Sequence, residues 1–260
     1  MTKGKPIFLL SLLTAAVMLL SGGVTAFAED FSSLDNTLCG YGQGHEVNDE
    51  NCPLGALMFN EKYYTYNAYA LTDSNKICLT FDQGYENGYT AAILDTLKEK
   101  NVKAVFFLTG DYAERNPELV QRMIDEGHVL GNHGMGHKSL SGLSESEMEE
   151  EIMSLHDYVL DNFGVTMTLF RPPCGEYSER ALAKVNSLGY KTILWSFAYC
   201  DWDVNDQPDR TEALKNVTDA AHNGGIYLLH SVSETNSAIL GSFIDNVRAQ
   251  GMDFGVDGVL

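Results

Sequence analysis

The chain has 260 residues, 44% of them hydrophobic, and carries a formal charge of −19. That length supplies one large α/β domain or two small ones, with apolar residues enough for a sizeable core. So acidic a balance excludes nucleic acid and anionic membrane surfaces as partners, since both demand a cationic footprint.

Lys3 and Lys5 precede an apolar run from Ile7 to Leu20, then Ser21-Gly22-Gly23 and Ala26-Phe27-Ala28. A charged region, an apolar region and an A-x-A site predict an exported protein with a signal peptide, 1–28, cut after Ala28. The run is short for a membrane span, and no later segment approaches that length. Cleavage removes two lysines and no acid, so −19 becomes −21. From Glu29 to about Ser74 no helix or strand period persists. Gly40, Gly42, Gly44, Asn48, Asn51 and Pro53 mark turns, and Tyr63, Tyr64, Tyr66 and Tyr69 form an aromatic cluster. We read 29–74 as an extension lying on a main domain, 75–260.

Strands and helices then alternate. Strand 76–82 leads to a helix from about Asn87 to Lys100, and strand 103–108 to a helix opened by Asn116-Pro117 and closed by Gly127. Strand 128–132 runs into His133. Ser144 and Glu147 form a capping box for the longest helix, which ends near Phe163-Gly164. Strand 168–170 meets Arg171-Pro172-Pro173, and Ser178 caps a helix ending at Gly189. Strand 191–199 precedes Asp201-Trp202; a helix over about 211–222, strand 226–229, a helix over about 236–250 and a short strand near 254–256 complete the pattern. About seven βα repeats with nearly continuous apolar strands predict an α/β fold with a parallel sheet covered on both faces. Polar residues at five strand ends favour a barrel over an open sheet, because a barrel gathers those ends on one rim.

Those strand ends carry the chemistry. Ile77 to Phe81 stops abruptly at Asp82-Gln83-Gly84, where Asp82 serves either as a helix-start residue or as a base. His133 and His137 are spaced to face one way on a helical turn and share a metal, with the amide oxygen of Gln83 as a third ligand. A metal with open positions activates water and polarises a carbonyl. His230, after Ile226 to Leu229, is a candidate acid or a satisfied core histidine. Arg171 orients a carboxylate or forms a surface ion pair, and Trp202, beside Asp201, packs in a core or against a sugar ring. The five cysteines (Cys39, Cys52, Cys78, Cys174, Cys200) include no C-x-x-C, so neither a disulfide scaffold nor a thiolate zinc site is indicated. Cys39 could pair with Cys52 after export, and Cys174 could approach Cys200. Cys78 alternates with core residues, and the odd count leaves at least one free thiol or an intermolecular one.

Thr80-Phe81-Asp82-Gln83-Gly84, His133-x-x-x-His137, Arg171-Pro172-Pro173-x-Gly175, Asp201-Trp202 and Leu228-Leu229-His230 resemble, in order, the five motifs of NodB-like polysaccharide deacetylases. Gly84-Tyr85-Glu86-Asn87-Gly88-Tyr89-Thr90 and the run after Arg171 resemble the branch that makes muramic δ-lactam in spore cortex. The resemblance implies a distorted (β/α) barrel of seven or eight strands and metal-assisted amide hydrolysis, the divalent ion being zinc. It makes Asp82 the base, His230 the acid, and His133, His137 and Gln83 the metal ligands. Arg171 would pair with Asp82, and Asp201 would help hold that network. Tyr85, Gly175, Trp202 and Leu228 would meet the substrate, Leu228 beside the acetyl methyl. Two positions depart from the family pattern: Gln83 stands for the usual aspartate and Gly134 for the usual serine or threonine.

The expected protein is therefore an exported N-deacetylase of peptidoglycan glycan strands, acting on peptide-free N-acetylmuramic acid. The alternatives are an N-acetylglucosamine deacetylase of peptidoglycan or chitin-like chains, and a glycan-binding protein whose catalysis is impaired by Gln83.

Overall fold

The computed structural model describes Met1 and residues 31–260, so the expected signal peptide lies outside the described residues. In chain order the strands are β1 (Cys39–Gly40), β2 (Ala68–Tyr69), β3 (Lys76–Gln83), β4 (Val105–Leu108), β5 (Val129–Asn132), β6 (Leu169–Phe170), β7 (Glu176–Tyr177), β8 (Lys191–Ile193), β9 (Phe197–Ala198), β10 (Ile226–His230) and β11 (Asp253–Phe254). The helices are α1 (Leu54–Tyr63), α2 (Thr90–Glu99), α3 (Gly110–Arg115), α4 (Pro117–Asp125), α5 (Glu145–Phe163), α6 (Glu179–Ser187), α7 (Arg210–Asp219) and α8 (Glu234–Ala249).

Eight parallel strands form a curled sheet in the order β2-β8-β6-β5-β4-β3-β10-β9, with β11 added to the start of β3. Side chains alternate across each strand. Ile77, Leu79 and Phe81 of β3 and Phe106 and Leu108 of β4 join the helix-facing core, whereas Cys78, Val105, Phe107, Leu169, Ile193 and Ile226 fill the barrel interior. Both faces are buried, which is why the strands read as continuous apolar runs.

The strand expected over 191–199 is two strands, and the break shapes the barrel. Leu194 N donates to Tyr69 O at 2.8 Å, but Ser196 N donates to Ile226 O at 2.9 Å. The backbone changes partner between them, from the β6–β2 side to β10. The sheet thus curls into an incompletely closed, distorted barrel. Elsewhere the boundaries move for local reasons. The helix expected from Asn87 begins at Thr90, because the Asn87 amide donates to Val232 O at 2.9 Å. Asn116 does not cap α4; its amide reaches back to Tyr112 O of α3, a short helix the periodicity did not reveal. The capping box of α5 is present, with Glu147 N on Ser144 Oγ and Ser144 N on Glu147 Oε2.

Residues 31–74 hold more regular structure than their periodicity suggests. On α1, Ala56, Phe59 and Tyr63 are buried, but Leu54 and Met58 point outward and erase the apolar stripe. Asn60 clamps this helix to β2, donating to Leu71 O at 2.6 Å and accepting from Ala70 N at 2.7 Å. Ala56, Phe59 and Tyr63 share an apolar cluster with Leu182, Trp195 and Leu228 of the barrel. All five cysteines are free, so neither expected pairing is formed. No helix among the described residues is long and apolar enough to cross a membrane.

Ser178 ties the two parts together. Its Oγ accepts from Ala181 N at 3.1 Å, capping α6, and donates to Asn36 Oδ1 at 2.8 Å. Ser178→Ala removes both bonds and should cost about 1 kcal/mol, the usual value of a lost N-cap. Thermal unfolding should then show a Tm lower by about 2–4 °C.

Candidate active site

The carboxyl ends of β3, β5, β6 and β10, with the loop after β9, open into one cavity of about 960 Å³. Register decides which residues meet there. Strands β3 and β10 are neighbours, and His230 lies directly opposite Asp82. His133 follows β5, its N donating to Leu108 O at 2.9 Å, and Arg171 follows β6, its N donating to Asn132 O at 2.9 Å.

Arg171 is wholly buried inside the barrel, its guanidinium 4.2 Å from the centre of the Phe107 ring. Nη1 donates to Asp82 Oδ1 at 2.8 Å and to Thr80 Oγ1 at 2.7 Å; Nε and Nη2 donate to the carbonyls of Ile193 and Leu194, each at 3.1 Å. All three guanidinium nitrogens are thus engaged within the protein. Burial pulls the Asp82 carboxyl upward, but the Arg171 charge beside it, helped by His230, outweighs this and holds the pKa below the usual carboxylate value.

His230 stands under the opposite influence. Its Nδ1 lies 2.7 Å from Asp201 Oδ1, and its backbone N donates to Asp201 Oδ2 at 2.8 Å. Burial disfavours the imidazolium, yet the Asp201 carboxylate overcomes this and raises the pKa. Asp201 therefore holds His230 rather than the Arg171–Asp82 pair with which the resemblance associated it. Asn236, which the sequence reading missed, donates to Asp201 Oδ2 at 2.5 Å and accepts from Tyr199.

His133 and His137 come together with ring centres 4.7 Å apart. They do so on an irregular turn and not on the expected helical one: Gly134 (φ +85°) and His137 (φ +55°) both adopt left-handed backbone. His133 Nδ1 donates to the Arg171 carbonyl at 2.8 Å, which leaves Nε2 as an acceptor, 3.4 Å from Asp82 Oδ2. Burial pushes its pKa down to about 4, so the ring is neutral and its lone pair open to a metal.

Gln83 is buried behind the cavity wall. Its Nε2 donates to Ser231 Oγ at 2.5 Å, and its Oε1 has no hydrogen-bond partner. Among the described residues no group of three His, Cys, Asp or Glu side chains is arranged around a metal. The neutral His133 imidazole, the His137 ring beside it and an orphaned buried amide oxygen nevertheless suit a divalent ion, with the amide in place of a charged third ligand. Leu228 and Gly175 line the cavity, and Tyr85 and Trp202 present half-exposed rings at it. Gly175 (φ +66°) could carry no side chain there, because a Cβ would lie 2.7 Å from the Trp195 ring.

The histidine turn is held by a residue outside every motif. Glu151 of α5 is buried, and its Oε1 accepts from Gly136 N at 2.7 Å and Lys138 N at 3.1 Å. A Cβ at Gly134 would stand 2.7 Å from that oxygen. The carboxylate thus occupies the room made by the glycine and steadies the turn from outside. The signal in the sequence was an acid on the apolar stripe of a helix, between Met148, Ile152 and Leu155.

The arrangement pairs a carboxylate biased toward its ionised form with an imidazole biased toward its protonated form, across a cavity that also presents a pair of histidines, which is equipment for hydrolysis. Comparison with known proteins agrees. The family model described as polysaccharide deacetylase matches residues 70–193. The chain belongs to the polysaccharide deacetylase family, the family 4 carbohydrate esterases, which are metal-dependent hydrolases of acetylated glycans. It is 37% identical over 247 residues to peptidoglycan-N-acetylmuramic acid deacetylase PdaA of Bacillus subtilis, covering 94% of this chain and 92% of that protein. The solved structure of PdaA superposes with a TM-score of 0.80 at 36% identity, over 85% of this chain and 95% of that one. Peptidoglycan-N-acetylglucosamine deacetylase PgdA of Listeria monocytogenes is 34% identical over 181 residues, 70% of this chain and 38% of that protein. A peptidoglycan-N-acetylglucosamine deacetylase of Bacillus cereus is 35% identical over 174 residues, 66% of this chain and 61% of that protein.

Replacing Glu151 by Ala should leave two backbone N–H groups without an acceptor, at a cost of about 1–3 kcal/mol. It should also weaken divalent-metal binding, whereas Glu151→Gln keeps the accepting oxygen and should recover most of both. Thermal unfolding without metal and calorimetric zinc titration read the two effects separately.

Proposed function

We propose that this protein is an exported, zinc-dependent N-deacetylase of peptidoglycan. It acts on N-acetylmuramic acid from which the stem peptide has been removed, in the formation of muramic δ-lactam in spore cortex. The observation that carries the chemistry is the register pair Asp82–His230, whose members stand on neighbouring strands with their pKa values moved in opposite directions. The choice of sugar is supported by the match to the muramic acid deacetylase along 94% of the chain. The A-x-A segment at Ala26 to Ala28 supports export.

Zinc held by His133, His137 and the Gln83 amide oxygen would supply Lewis-acid polarisation of the acetamide carbonyl and of the attacking water. Asp82, kept ionised by Arg171, accepts the water's proton. His230, kept charged by Asp201, gives a proton to the leaving nitrogen, so the amide C–N bond breaks with release of acetate and a free amine. Leu228 lies against the acetyl methyl, and Tyr85 and Trp202 flank the sugar chain. The freed amine lies near the lactyl carboxylate of its own sugar, so lactam closure is favoured by proximity.

Mass spectrometry of defined muropeptides, incubated with the protein with zinc and with a chelator, tests the whole reading. The expected result is zinc-dependent loss of acetyl from peptide-free muramic acid. Loss from glucosamine alone would make the protein a glucosamine deacetylase, and no loss would make it a glycan-binding protein. A pH profile tests the acid. His230 must be protonated to act, so the rate falls as pH rises through its pKa, which Asp201 has raised. Asp201→Asn removes that charge, and the alkaline limb of kcat should move to lower pH. An unmoved limb would deny His230 the role.

A further inference from the structure

We infer that the stretch Tyr41 to Gln43, outside the βα repeats, is the specificity wall of the cavity. It makes room for the 3-O-lactyl group that distinguishes muramic acid from glucosamine. This rests on the reading of the cavity as a glycan deacetylase site.

The stretch is built in and rigid. It leaves β1, which pairs antiparallel with β7, and Tyr41 N continues that contact by donating to Gly175 O at 2.9 Å. The Tyr41 hydroxyl donates to Trp195 O at 2.7 Å, and its ring packs edge-on against the Trp195 indole. Gln43 uses both ends of its amide: Oε1 accepts from Trp195 Nε1 at 3.0 Å and Nε2 donates to Ala198 O at 3.2 Å. Behind it, a Cβ at Gly55 of α1 would lie 2.5 Å from Gln43 O, so the helix seats directly on this backbone. Tyr41, Gly42 and Gln43 all line the cavity that holds Asp82, His133, His137 and His230.

Two observations make this wall selective. Gly42 is exposed within it, and a Cβ there would meet nothing within 4 Å, so the wall opens at that point. The cavity lining among the described residues contains no lysine or arginine. Discrimination between two sugars that differ by one lactyl ether therefore falls to shape.

The test is Gly42→Ala and Gly42→Phe, which the backbone admits because Gly42 is not in the left-handed region. The full chain is assayed with zinc on peptide-free muramic glycan. The matching N-acetylglucosamine glycan is measured as substrate and as competitive inhibitor. If the wall receives the lactyl group, Gly42→Phe raises KM for the muramic glycan at least ~10-fold, with kcat within about threefold, since filling a pocket removes binding shared by ground and transition states. Gly42→Ala does so to a smaller degree. The constants for the glucosamine glycan move less than about threefold and report that the variants are folded. Equal effects on both glycans, or none on either, overturn the inference while wild-type activity on muramic glycan leaves the proposed function standing. A wild-type protein active on glucosamine alone overturns both.

Discussion

A single buried guanidinium underlies the order of this site. A charge inside a barrel costs several kcal/mol unless it is paired and fully hydrogen-bonded, and Arg171 meets that demand with four acceptors from β3, β8 and the crossing after β8. Those bonds fix the break through which the chain passes from β8 to β9, and they fix the orientation of Asp82. The same residue's carbonyl orients His133. The two prolines that follow lack N–H groups and restrain φ, so the backbone at Arg171 has little freedom to relax.

Around that centre, one pair of neighbouring strands supports opposite protonation states. Asp82 and His230 sit in register, a strand spacing apart. The first has a cation for its close partner, which favours its ionised form; the second has a carboxylate, which favours its protonated form. Asn236 and Tyr199 support Asp201 from α8 and the loop after β9. Separate supporting networks let the proposed base and acid be adjusted independently although their backbones are hydrogen-bonded neighbours.

Much of this was legible in the chain. Asp82, His133, Arg171, Asp201 and His230 each follow an apolar strand, and a barrel brings such ends together whatever lies between them. Glu151 was harder to read, because its neighbours Glu149 and Glu150 have the same chemistry and only burial separates them. The irregular turn of His133 to His137 was read as helical because spacing alone does not distinguish a helix from a turn that also gathers two side chains. The wall formed by Tyr41 to Gln43 left no periodic signal, since irregular backbone depends on what it packs against.

By itself the sequence determined the alternation of strand and helix, the face each strand buries, and the identity of the polar residues on the rim, because these follow from side-chain period and local chemistry. Tertiary structure alone decided which rim residues are partners. Asp201 was assigned to His230 by the crossing of β8 into β9, Glu151 to the histidine turn by the packing of α5, and a segment more than thirty residues before the first barrel motif to the cavity wall by its contact with Trp195. Such pairings join groups far apart along the chain, and their energies exist only once the backbone has brought them within hydrogen-bonding distance.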